Sequence, residues 1–168
     1  MGWTIAVIVA VLVVAVIVGF AMAQKNNELF ESGIAVKNRA YDFYAQEHLF
    51  RTVVPDLDTM FTCLDRNVLA QRGIAYAKDT AGRLIFQNSG NSMTAVIAPE
   101  AVGIEAGIHQ FRFRVTHWKA HNGTIELAAR MDANVVLTAL EKAFLTLDYN
   151  AVVQRTYATD LKTSTSFF

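Results

Sequence analysis

Residues 108–118, Ile-His-Gln-Phe-Arg-Phe-Arg-Val-Thr-His-Trp, alternate apolar and polar side chains with a period of two from Gln110 to Thr116. Phe111, Phe113 and Val115 share one side; Arg112, Arg114 and Thr116 share the other. Successive strand residues point to opposite faces, so the stretch reads as a long, half-buried β-strand. It decides that the C-terminal part of the chain is built on a sheet. Upstream, residues 74–78 and 84–88 flank Asp79-Thr80-Ala81-Gly82, a turn composition, and residues 92–98 form a further strand stopped by Pro99.

Downstream, His121-Asn122-Gly123 leads into residues 124–130, where Ile125, Leu127 and Ala129 fall on one strand face. A two-residue Asn-Gly loop would pair Trp118 with Leu127 and set the Phe111/Phe113/Val115 face against Thr124, Glu126 and Arg130. A three-residue loop, 121–123, pairs His117 with Leu127 and Val115 with Ala129, which restores a common apolar face. The expectation is therefore a three-residue hairpin with Gly123 at positive φ. Asp132 then caps a helix whose Val136, Leu137, Leu140, Phe144 and Leu147 form one apolar side. Asp148-Tyr149-Asn150 makes a turn, residues 151–157 a last strand, and residues 159–168 a loose polar tail ending in Phe167-Phe168. That pair reads as an unpacked end or a small docking peptide.

Toward the N-terminus the period changes to helical. Leu29, Val36, Phe43 and Phe50 recur every seven residues, with Gly33 and Ala40 beside them and Glu31, Lys37, Asn38 and Asp42 outside. Residues 26–54 read as one helix, ended by Pro55 because the residue before a proline avoids helical angles. Asp56 or Asp58 can cap a second helix carrying Leu57, Met60, Phe61, Leu64 and Val68, with Gly73 as its stop. The two should form a helical hairpin.

Ahead of this lies the run Trp-Thr-Ile-Ala-Val-Ile-Val-Ala-Val-Leu-Val-Val-Ala-Val-Ile-Val-Gly-Phe-Ala-Met-Ala, residues 3–23, with no charged side chain before Lys25. At about 1.5 Å per residue it spans about 31 Å, the hydrocarbon thickness of a bilayer. Ala21-Met22-Ala23 before Gln24 fits a signal-peptidase site. However, the run is longer than the roughly 7–15 residues of a signal peptide's apolar core and lacks a basic leader, which favours an uncleaved anchor. Lys25, Lys37 and Arg39 follow the run and no Lys or Arg precedes it. The N-terminus is then outside and the body cytoplasmic, with Trp3 at the outer interface. The single Cys63 agrees, since oxidising compartments favour paired cysteines. Ala15, Gly19 and Ala23 are spaced by four, as are Ala6 and Ala10. That spacing suits close helix packing and is also common in any spanning helix.

Asn27-Glu28-Leu29, Val36-Lys37-Asn38 and Val54-Pro55-Asp56-Leu57 together resemble the LemA family. In that family an N-x-L, six further residues and V-K-N follow one spanning helix, with I-P-N-L later. The resemblance covers roughly residues 1–60. It implies an outward N-terminus, one span and a helical hairpin, and it brings no catalytic residues. The chain departs from it at Arg39-Ala40-Tyr41, where the family has Ala-Trp. It also lacks the family's basic pair before the proline and turns to strands after residue 73.

The 15 Lys and Arg balance the 15 Asp and Glu. A neutral body gives no footing for nucleic acid, which is bound by basic excess, and no polybasic cluster marks capture of anionic lipid. His109 and His117 are roughly 26 Å apart along a strand and cannot share a metal. His117 and His121 bracket a turn with no cysteine near. Cys63 borders an apolar stripe and reads as a buried, inert thiol. Asp56 and Asp58 look like caps, and Glu126 like a cross-strand partner of Arg112, Arg114 or Lys119. Arg112 and Arg114 could edge an anion site, though a solvated strand face is the plainer reading. Phosphate loops, a Gly-x-Ser-x-Gly elbow and Cys-x-x-Cys pairs are absent. Asn122-Gly123-Thr124 reads as turn chemistry rather than a glycosylation acceptor.

The expected fold class is α+β. Residues 1–24 form the transmembrane anchor and 25–73 a membrane-proximal helical hairpin. Residues 74–158 form an antiparallel β-sheet region with a packed C-terminal helix, and 159–168 the tail. No catalytic, cofactor-binding or metal residue is assigned, and no cofactor is expected. The lipid bilayer and other membrane proteins are the expected partners. The expected function is that of a non-enzymatic, single-pass anchored scaffold or accessory subunit. The alternative is a membrane-tethered module binding an apolar small molecule or lipid between sheet and helix, using Phe86, Phe111, Phe113, Trp118 and Phe144.

Overall fold

A computed structural model describes residues 2–37, 39, 45–100, 107–121, 124–157 and 162–166. The chain forms two compact units, Met1–Lys37 and Asn38–Phe168. The first is helix α1, Gly2–Glu31, with the turn that ends it. Within Ala6–Glu31 the most apolar window of 18 residues has a mean hydropathy of 3.1, and none of that window is buried. At Gly33 the chain takes a left-handed φ of +68°, and the Ala35 amide donates back to the Leu29 carbonyl at 3.0 Å. A glycine at this place stops a helix at little cost, because it has no Cβ to clash.

The helix expected over residues 26–54 therefore ends at Glu31, and the helical hairpin does not form. Gln46–Thr52 is instead strand β1, pairing with two neighbours in the sheet. The seven-residue spacing that ended at Phe50 masked a period of two, because His48, Phe50 and Thr52 are buried on one face; Glu47 is buried as well, against Arg112. His48 and Thr52 are polar, so the apolar periodicity did not reveal them as buried. Val36 lies in the first unit, while Ala40 and Phe43 of the same stripe fall outside the described residues.

Past Pro55 the single expected helix is two short ones, α2 (Leu57–Thr62) and α3 (Arg66–Gln71). Asp56 is the cap of α2, accepting from the Thr59 amide at 2.7 Å, and Asp65 caps α3 through the Asn67 and Val68 amides. Asp65 and the turn before it split the pattern; Met60, Leu64 and Leu69 are buried all the same. Gly73, at φ +65°, is the stop.

The sheet follows as β2 (Ile74–Lys78), β3 (Leu84–Asn88), β4 (Met93–Pro99) and β5 (His109–His121). After β5 come β6 (Thr124–Ile125), helix α4 (Leu127–Leu147), β7 (Val152–Tyr157) and β8 (Lys162–Ser166). The strand order is β2-β3-β4-β5-β1-β7, antiparallel throughout, with β6 also antiparallel to β5. β8, inside the stretch read as a tail, adds to β5 in parallel.

The turn after β5 differs from expectation. His121 pairs with Thr124 and Ala120 with Ile125, a two-residue connection. The three-residue pairing of His117 with Leu127 does not form, because Leu127 opens α4. The φ of Gly123 lies outside the described residues. Leu127-Ala128-Ala129-Arg130 are strong helix formers, so local propensity outweighs the short alternation that suggested a strand. Asp132, expected as the cap, is buried inside α4. α4 packs on the inner face of the sheet, where Phe50 stacks on Phe144 at 4.7 Å and Phe111 lies 5.3 Å from it. Phe86, Ile97, Phe113, Leu137 and Leu140 complete a closed core. Leu147, expected on this side, remains partly exposed.

Candidate functional site

α4 owes its polar stripe to residues spaced by four and three, Asn134, Thr138 and Glu141, which fall on one helix face. That face holds Arg39. The Arg39 guanidinium donates from Nε to Asn134 Oδ1 at 2.8 Å and from Nη2 to Thr138 Oγ1 at 3.1 Å. It grips both Glu141 oxygens, at 3.0 and 2.7 Å. The Arg39 side chain is only 4% exposed and that of Glu141 21%. A two-pronged guanidinium–carboxylate contact fits the planar fork of arginine and not the point charge of lysine. Arg39 entered the sequence reading only as a flanking positive charge. The signal that could have found its partners is the polar i, i+4, i+7 row in an otherwise apolar helix.

A second cluster joins α3, the β3–β4 turn and α4. Arg72 donates to Asp132 Oδ1 from Nε at 3.0 Å and Nη2 at 2.6 Å. Asn88 Nδ2 donates to Asp132 Oδ2 at 2.9 Å and to Ser92 Oγ at 2.8 Å. Its Oδ1 accepts from the Ser92 and Met93 amides. The buried Asp132 carboxylate is thereby bonded on both oxygens, the condition for burying a charge.

On the outer sheet face, Arg112 donates to Glu100 at 2.6 Å and to Glu47 at 2.5 Å, with Arg114 3.6 Å from Glu47. Burial works against the Arg112 charge, but Glu100 and Glu47 more than offset it and raise its pKa above the ordinary value. The partners are Glu47 and Glu100. Glu126, expected in this role, instead precedes α4 at the N-cap position, where its side chain makes no capping bond. Glu47 was missed because its strand was read as helix.

At the end of β1, Asp148 Oδ2 accepts from the Val53 amide at 3.0 Å and Thr52 Oγ1 at 2.8 Å, and Oδ1 from the Asn150 amide. The Val53 amide, then the Thr52 hydroxyl, hold its pKa below the usual carboxylate value. Beside it lies a cleft of about 330 Å³ lined by Arg51, Thr52, Val53, Ile108, Asp148, Asn150 and Val152. Between α4 and the sheet, the hollow near Met93, Val115, Trp118, Ala129 and Ala133 has no room for a water molecule.

Ala15, Gly19 and Ala23 all lie exposed on α1, and a methyl added at Gly19 would meet nothing within 4 Å. The side chain of Trp3 lies outside the described residues. Cys63 ends α2 half-buried, more open than the buried thiol expected. His109 and His117 both lie on β5, eight positions apart. Among the described residues no group of three or more His, Cys, Asp or Glu is placed to hold a metal ion.

The constellations in the second unit are thus built from charges that the protein itself answers. They tie together residues distant in the sequence, and among the described clusters only the Asp148 group lines the cleft. Comparison with known proteins adds no template: no family model, no curated protein and no solved structure matches the chain.

Proposed function

We propose that the chain is a single-pass, membrane-anchored interaction or scaffold protein, such as an accessory subunit of a membrane protein assembly. The observation that carries this reading is helix Ala6–Glu31, whose most apolar 18-residue window has mean hydropathy 3.1 and is unburied. Contiguous apolar surface of this extent is not kept in water by a soluble protein, whereas about 20 apolar residues match a bilayer core. The flanking Lys25, Lys37 and Arg39 support an outside N-terminus and a cytoplasmic body. The Ala15/Gly19/Ala23 row supports a helix partner in the membrane. The second unit spends its buried charges on internal ties, which supports binding rather than chemistry as its task.

The test is isolation of the full chain in mild detergent with crosslinking. A specific co-purifying membrane protein is expected; a lone monomer at every detergent strength counts against the reading. Orientation is tested at Cys63. A membrane-impermeant thiol reagent should reach it only after permeabilisation, and labelling in intact cells reverses the assignment. The N-terminal sequence of the mature protein separates anchor from signal peptide, since cleavage after Ala23 would remove the span.

The cleft with Val53, Ile108 and Val152 on its wall favours a second reading, a tethered module for a small apolar ligand. It ranks lower because the layer between sheet and helix, where such modules enclose a ligand, is closely filled among the described residues.

A further inference from the structure

The exposed apolar side chains of the second unit gather at one place. Val53 lies just past β1, and Leu145, Leu147, Tyr149 and Val152 lie between the end of α4 and the start of β7. Among the described residues of this unit, only Tyr76 and Leu127 are exposed large apolar side chains elsewhere. Asp148 draws the group together. Its carboxylate accepts from the Val53 amide, and its carbonyl accepts from the Ala151 amide at 3.0 Å, closing the turn into β7. Val53 and Val152 line the same cleft beside it. The tip so formed is 56% exposed at Val53, 53% at Val152 and 85% at Tyr149, the most open large apolar side chain among the described residues. The carboxylates at this end of α4 are both engaged, Asp148 by Thr52 and Val53 and Glu141 by Arg39.

Under the anchored reading above, chain length alone keeps this tip near a bilayer. Past Ala23, α1 runs eight more residues, about 12 Å, and the eight residues from Ser32 to Arg39 extend at most about 29 Å. Arg39 is fixed to α4 at Asn134, Thr138 and Glu141. α4 is therefore tethered within about 40 Å of the apolar layer. Glu141 is about 9 Å along the helix from Leu147 and about 21 Å from Leu127, so the clasp sits toward the end that carries the tip. A tether of this reach sets a local concentration in the millimolar range, and a contact of a few side chains then suffices. Tyrosine, with an apolar ring and a polar end, is enriched where membrane meets water. We propose that the tip of Val53, Leu147, Tyr149 and Val152 is a second membrane contact, which settles into the headgroup layer of the same bilayer that holds α1. The proposal rests on the anchored reading and adds to it a fixed resting place for the second unit.

The test uses the full chain, with Cys63→Ser, reconstituted in phosphatidylcholine vesicles. An environment-sensitive fluorophore is placed on Asn150→Cys, beside the tip, or on Ala75→Cys, exposed on β2 at the far end of the strand order from β7. A nitroxide carried near the lipid carbonyls should quench the label at 150 about threefold or more above that at 75, because a docked tip reaches the boundary of headgroups and acyl chains. Val53→Ser/Tyr149→Ser/Val152→Ser should bring the quenching at 150 down to the level at 75. That variant should still float with the vesicles and keep its melting transition, since the three side chains are exposed. Equal quenching at the two positions with the tip intact overturns the proposal, whether or not the triple variant folds. So does quenching that survives the triple change in a folded chain. A label at 150 shielded from aqueous iodide yet unquenched by lipid puts a protein, or a second copy of the chain, on the tip and also overturns it. Flotation separates the two readings. A chain that floats with an unquenched label keeps the anchor and loses the contact, whereas a chain that does not float removes both.

Discussion

α1 and α4 are the two long helices of this chain, 30 and 21 residues, both rich in Ala, Val and Leu, and they differ in what they do with polarity. α1 carries no charge over its first 23 positions, and its most apolar 18-residue window is unburied. α4 carries Asp132, Asn134, Thr138 and Glu141, and each meets a named group from elsewhere in the fold. Apolar content alone therefore does not say where a helix resides. The polar residues do, because each one buried must find a partner. A helix with none is suited to lipid; a helix with a patterned few is addressed to particular neighbours.

The comparison can be broken at several points. Truncating Phe144, which touches both Phe50 and Phe111, should cost about 4 kcal/mol of the second unit's stability, measured by denaturant unfolding. Arg39→Ala leaves Glu141 without its partner and should cost about 3 kcal/mol. The double change Arg39→Met/Glu141→Leu should recover most of it if the pair serves fit rather than net stability. A double variant as unstable as the single one would show that the pair itself stabilises. In α1 the sign of the rule inverts. Val14→Arg should lower membrane insertion by about 3 kcal/mol in a glycosylation-mapping assay, because a central charge finds no partner there.

Acid should act on α4's C-terminal end. The Asp148 carboxyl is held below its ordinary value by the Val53 amide and Thr52 hydroxyl. Its contribution is therefore present above the unfolded pKa of about 3.9 and lost as pH falls through the lower folded value. Unfolding midpoints from pH 7 to pH 2 should fall at the acid end, and Asp148→Asn should flatten part of that fall. The smallest effect is expected on the outer sheet face. Arg112 is 41% exposed, so Arg112→Ala should change stability by less than about 1 kcal/mol and lose even that at high salt.

The legible parts of the sequence were those where one principle acted alone. β5 alternates cleanly, Asp56 sits directly after a proline with an apolar pattern behind it, and Gly73 follows the last helical contact. Residues 46–52 were misread because two periods coincide at Phe50, and the polar residues that decide between them, His48 and Thr52, are buried. Leu127 to Arg130 suggested a strand by short alternation, but they are strong helix formers, and local propensity makes the choice. The polar site residues were the least legible. Arg39 and Glu141, or Arg72 and Asp132, are distant in sequence, and no local pattern marks a charge as destined for a partner on another element.

The Arg39 clasp also has a consequence in time. Its partner Glu141 lies 102 residues further along the chain. At about 5–20 residues per second of synthesis, some 5–20 seconds pass between the two. Throughout that interval Arg39 has not yet met Glu141. Once α4 has been made and docked, the same cation is sealed beneath it. Under the orientation proposed above, the same residue would first count toward the flanking charge and only afterwards bind α4, and the order of synthesis separates the two uses.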